Sequence, residues 1–250
     1  MNSALRRMAG AVSSAVEERL FVEYGSVFAT AATPPPTIMF ADAAQVEAFQ
    51  SSLRVDRAVV GEHPITLQAD ALRALLAAAA RMTQKGGSIS ARAADAGARS
   101  YEDTVRLWTR NVTRGLEHWQ SLGRITNEHA QAISALTPAQ QIAPILELEE
   151  AEQLFFGTFF DRSILYSVAA PGASQHLSLL AFDAAEYEDA EVENELARCG
   201  WYRTVTNDLP HFTYLGRTRD ALPDLGLKRV TRTFGEHVYG FWIPDLDTLG

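Results

Sequence analysis

The spacing of apolar residues changes part-way along this chain, and the change limits the folds open to it. Up to about residue 156 the apolar positions recur at helical spacing. After Asp161 they come in short runs bounded by Pro, Gly and Asn, the pattern of strands. Helices first and strands later imply an α+β body rather than alternating βαβ units.

The segments can be placed individually. Residues 1–33 read as helical and then loose, ending at Pro34-Pro35-Pro36, a stiff extended stretch that no helix crosses. The expected division is therefore a helical N-terminal arm or linker over 1–36 and a main domain over 37–250. A short helix is predicted over 42–53. A stronger one runs from Leu67 to Met82, with Leu72, Leu75, Leu76, Ala79 and Ala80 on one face and Gly86-Gly87 as its stop. Another runs from Ser100 to about Gln120, with Ser100 as N-cap, Asp103 three residues on, and an apolar stripe through Tyr101, Val105, Trp108, Val112 and Trp119. Residues 126–156 read as further helix, and Glu147, Glu149, Glu150 and Glu152 as its solvated face. A strand is predicted over Ile164–Ala169, a compact helix over 187–199 stopped by Gly200, and short strands over 201–206, 211–215, 226–231 and 237–243.

Composition sets outer limits. A net charge of −9 argues against nucleic acid as the main partner, because phosphate binding needs a basic surface. The single cysteine, Cys199, rules out an intrachain disulfide or a thiolate cluster. No apolar run reaches the roughly 18–20 residues that span a bilayer. Arg6 and Arg7 precede a mild apolar run, but Glu17, Glu18 and Arg19 follow at once, so the segment reads as an amphipathic helix.

Chemistry concentrates in two stretches, 171–183 and 208–216. His176, Asp183 and His211 form a three-ligand set of two imidazoles and one carboxylate, which leaves the fourth position of a tetrahedral zinc ion open for water. Asp208 stands three residues before the second histidine, where a carboxylate can handle that water's proton. His176 and Asp183 are seven apart, an odd number that a regular strand would send to opposite faces. His176 is therefore expected in a loop or bulge ahead of the strand that carries Asp183. His63, His118, His129 and His237 have no second ligand type at a useful spacing and read as ordinary surface or core residues.

The order Ser174-x-His176-x-x-Leu179-x-Ala181-x-Asp183 resembles the Ser-x-His-x-x-Gly-x-Ala-x-Asp signature of the zinc D-alanyl-D-alanine carboxypeptidases. These are the VanX- and VanY-type peptidases, whose fold is shared by lysostaphin-like enzymes and the hedgehog signalling domain. Asp208-Leu-Pro-His211 is similar to their acid-x-x-His motif, and Ala96-Gly-Ala-Arg-Ser-Tyr101 to their Ser-Gly-Tyr-Arg-Ser segment. The likeness spans 96–216, and residues 1–60 carry none of it.

What the resemblance implies is a small antiparallel sheet carrying a zinc site and flanked by helices, so that 37–250 would be a zinc peptidase domain. Zinc would be held by His176, Asp183 and His211, Asp208 would act as general base and then acid, and Arg99 would stabilise the oxyanion. The substrate would be a peptidoglycan stem peptide or another D-Ala-terminated peptide. The expected compartment is the periplasm or cell exterior, with any signal peptide preceding this numbering; the cytoplasm stays open. Three departures stand out: Leu179 replaces a glycine, Asp208 a glutamate and Pro210 a tryptophan. Asp-x-Pro-His is also similar to the motif of endolysin-like L-alanyl-D-glutamate peptidases. Three functions follow in order: D-alanyl-D-alanine carboxypeptidase, L-alanyl-D-glutamate endopeptidase, and a zinc-stabilised binding module without turnover.

Overall fold

The computed structural model describes residues 4–249; the first three residues of the expected N-terminal helix, and Gly250, lie outside them. Along the chain run α1 (Ala4–Ala9), α2 (Ala15–Tyr24), α3 (Ala43–Ser51), β1 (Val55–Val60), β2 (His63–Gln68) and α4 (Ala69–Gln84). Then come α5 (Tyr101–Ser121), α6 (Asn127–Ser134), α7 (Pro138–Glu152), β3 (Ala181–Asp183), α8 (Ala190–Arg198), β4 (Trp201–Tyr202) and β5 (His211–Tyr214). β6 (Leu227–Phe234), β7 (His237–Pro244) and α9 (Leu246–Leu249) complete the order. Among the described residues the sheets are small and antiparallel: β1-β2, β3-β5-β4 and β6-β7. Mixed helices and short antiparallel sheets agree with the α+β class.

The chain divides into two compact units, one of residues 1–38, 46–99 and 175–250, the other of residues 39–45 and 100–174. The first unit carries the expected metal ligands. Its core joins Leu72 and Leu75 of α4, Ile65 and Leu67 of β2, Phe182 of β3, Phe212 of β5, and Val192 and Leu196 of α8. The segment read as an arm adds Leu5, Phe21, Val27 and Phe28 to that same core. These apolar side chains account for its association with this unit, since burying each is worth about 1.5–3 kcal/mol.

Local signals explain the second unit's helices. Ser100 caps α5, its hydroxyl accepting from the Asp103 N–H while the Asp103 carboxylate takes the Ser100 N–H, a reciprocal capping box. Thr137 and Gln140 repeat the device at α7. The region read as one helix over 126–156 is two, because Thr126 and Thr137 each start a helix.

Two sequence expectations are corrected, and one element is new. Ile164–Ala169 is not a strand: Ile164–Tyr166 form a 3₁₀ turn, whose first N–H donates to the Glu149 carboxylate at 2.7 Å. Glu149 is accordingly buried rather than part of a solvated face, and also accepts from the Phe156 N–H at 2.9 Å. The hairpin β1–β2 has no counterpart in the sequence reading. Its two-residue turn, Gly61-Glu62, places Gly61 at φ +67°, which glycine tolerates without cost.

An ionic cluster around one buried carboxylate ties α4 to α8 within the first unit. The fully buried Glu195 carboxylate receives Lys85 at 2.7 Å and the Arg81 guanidinium. Hydrogen bonds from Lys85 and then Arg81 lower its pKa from 4.5 to about 2. A carboxyl depressed on folding stabilises the native state above its unfolded pKa and loses that contribution as pH falls through the folded one. Resistance to denaturant should therefore decline between about pH 4.5 and 2, and Glu195→Gln should flatten the decline in urea titrations across that window. An unchanged slope in the variant would remove Glu195 as its source.

Candidate metal centre

Strand pairing brings the ligands together. β3 and β5 run antiparallel with Asp183 directly opposite His211, so both side chains leave the same face of the sheet at close range. His176 lies in the 3₁₀ turn Gln175–Ser178, off the strand, as its odd spacing from Asp183 requires. Leu179, which follows that turn, has φ +57°, a left-handed backbone that costs a non-glycine residue about 1–2 kcal/mol. This is the position at which the resembling signature has glycine.

The segment 91–99 lies along the other edge of β3. The Asp183 N–H donates to the Ala96 carbonyl at 2.9 Å, and the Arg92 N–H donates to the Asp183 carbonyl at 3.0 Å. That contact carries Arg99 to the site. Its guanidinium donates to Asp183 Oδ2 at 2.7 Å and lies 3.5 Å from Asp95.

His176, Asp183 and His211 each offer one atom within 4.8 Å of the others, and all three are buried. His176 Nδ1 lies 2.8 Å from the Gly97 carbonyl, which can only accept, so Nδ1 carries the ring proton. The other nitrogen, Nε2, is then a bare lone pair 3.3 Å from Asp183 Oδ1, buried and without a hydrogen-bond partner. His211 Nδ1 faces the same oxygen at 3.2 Å. Arg99 occupies Oδ2, which leaves Oδ1 for whatever sits between the rings. Buried lone pairs that point at one another are costly unless a cation or a proton lies among them. The group can hold a metal ion.

No family profile, curated protein or solved structure matches the chain. The chemistry of the site therefore rests on its own geometry.

Electrostatics favour ligation. Burial pushes the His176 pKa down, outweighing the pull of Asp183, so the ring is neutral and its lone pair available. Burial alone would raise Asp183, but its two histidine neighbours, His176 first and then His211, outweigh that and hold the carboxyl well below the usual range. Asp208 behaves in the opposite way. Burial and the nearby Asp183 charge raise its pKa, against the opposing influence of His211, His176 and Arg99. Two neighbouring carboxyls pushed apart in this fashion suit different roles, one as ligand and one as proton carrier.

Asp208 is joined to His211 by a tight turn, closed by the His211 N–H donating to the Asp208 carbonyl at 3.2 Å. The loop before it is pinned by Arg203, a buried residue that sequence reasoning passed over. Its Nε donates to the Leu209 carbonyl at 2.9 Å, and its guanidinium lies over Phe212 and Tyr239 and pairs with Glu193. Gln175 was also passed over. Neither a neutral amide nor an isolated arginine has a spacing that points to metal chemistry.

Proposed function

We propose that this chain is a zinc-dependent peptidase acting on peptidoglycan stem peptides, most simply a D-alanyl-D-alanine carboxypeptidase. The observation that carries the reading is the convergence of His176 Nε2, His211 Nδ1 and Asp183 Oδ1, with the raised carboxyl of Asp208 within electrostatic reach of them. Two nitrogens and one oxygen suit zinc, and three protein ligands leave a position for substrate. The left-handed backbone at Leu179 adds support, since it is what a glycine in the resembling signature would supply.

Bound zinc supplies Lewis-acid polarisation of the scissile carbonyl and makes water acidic enough to lose a proton near neutral pH. Asp208, half-buried and more basic than an ordinary aspartate, would take a proton from water and return it to the leaving amine. Arg99 holds the second oxygen of Asp183, which leaves Oδ1 to face the two histidines. Its remaining N–H groups are the candidates for stabilising the oxyanion.

A second reading, L-alanyl-D-glutamate endopeptidase, is favoured by the Asp208-Leu-Pro-His211 turn. Digestion of muropeptides by the zinc-loaded protein, followed by mass spectrometry, separates the two. Release of terminal D-alanine supports the carboxypeptidase, and cleavage next to the sugar supports the endopeptidase. Bound zinc with neither product would leave the protein a metal-stabilised binding module.

A further inference from the structure

We propose that Gln175 is a positioning residue, one that decides which nitrogen of His211 is offered to the metal. The inference rests on the metal reading of the site and extends it to a residue with no ligand chemistry of its own.

The orientation of the Gln175 amide is fixed by its surroundings. Its Nε2 lies 2.8 Å from the Tyr24 carbonyl, which can only accept, so the amide nitrogen must be at that end. The amide oxygen is then placed beside His211 Nε2 at 2.9 Å, with Thr204 Oγ1 at 3.2 Å and Thr213 Oγ1 also against it. An oxygen acceptor there requires the proton of the neutral imidazole to be on Nε2. Nδ1 is then the bare nitrogen, and Nδ1 is the atom that faces Asp183 Oδ1 at 3.2 Å.

Gln175 does for His211 what the Gly97 carbonyl does for His176. The two histidines are held in opposite tautomers, one presenting Nε2 and the other Nδ1. That assignment suits where they come from, a 3₁₀ turn and a strand end, with ring planes 72° apart and centroids 5.0 Å apart. Gln175 itself is held rigidly: it is 3% exposed, and its backbone carbonyl accepts from Ser178 Oγ at 2.6 Å. Partners of this kind hold metal-ligating histidines in tautomer and orientation, and losing one costs about 10–100-fold in metal affinity.

The test compares Gln175→Met, which removes the acceptor, with Gln175→Glu, which keeps an acceptor for His211 but disturbs the bond to the Tyr24 carbonyl. Long-range ¹H–¹⁵N correlation of histidine rings in the metal-free protein reads the tautomer, and competitive titration with a zinc chelator reads affinity. The expected result is a wild-type His211 protonated on Nε2, with zinc affinity about 10–100-fold weaker in Gln175→Met and within about threefold of wild type in Gln175→Glu. A residue that acts only through stability would weaken both variants together, in line with their melting temperatures.

A wild-type His211 protonated on Nδ1 overturns the inference without any variant. So does equal zinc loss in both variants, or none in Gln175→Met. A wild-type protein that takes up no zinc overturns the metal reading and this inference with it, whereas zinc in the wild type beside an unaffected Gln175→Met overturns the inference alone.

Discussion

Asp208→Asn is expected to lower peptide hydrolysis by about 10²–10⁴-fold, the range for losing a positioned general acid–base group, while the protein retains its zinc. Asparagine keeps the size of the side chain and the backbone turn to His211, but has no basicity at neutral pH. Zinc should stay because the converging atoms belong to His176, Asp183 and His211, with Asp208 outside the set. Kinetics of D-alanine release, beside elemental analysis of the same preparation, check both halves. Should asparagine at this position strip the metal as well, Asp208 would be a ligand and the division of labour wrong. Asp208→Glu is a useful partner variant. Its extra methylene pushes the carboxylate beyond where the turn places the aspartate, so activity should recover only in part.

How far the site could be read beforehand depended on the range of the signals. The capping box of Ser100 and Asp103 was visible because both halves lie within one helical turn. So was the stop at Gly200, whose φ of +83° ends α8. The 3₁₀ turn at Ile164 was not visible, because Glu149, fifteen residues earlier, takes its N–H and no local pattern records that. The ligand set was legible as chemistry, two imidazoles and two acids in two short stretches. Its geometry was not, since the register that puts Asp183 opposite His211 is a property of paired strands. Arg99 shows both sides: the residue was picked out, but its pairing with the ligand Asp183 depends on the 91–99 segment lying along β3.

Removing the metal should have the largest effect on stability. Without a cation, buried Nε2 of His176 has no hydrogen-bond partner, and the lone pairs around Asp183 Oδ1 face one another at 3.2–3.3 Å. A ligand that binds only the folded state stabilises it by about 4 kcal/mol when present at a thousandfold above its Kd. For a chain of 250 residues, at roughly 2–4 °C per kcal/mol, zinc should raise the melting temperature by about 8–16 °C over the chelated protein. His176→Ala deletes the ligand whose free nitrogen is most completely determined, so it should melt at the same temperature with or without zinc. Thermal unfolding of both proteins, each with chelator and with excess zinc, is the measurement. Wild-type curves that coincide would mean that no ion fills the space between the rings. A proton shared between Asp183 and one histidine would then be what reconciles the buried lone pairs, and the hydrolytic reading would fall with the metal.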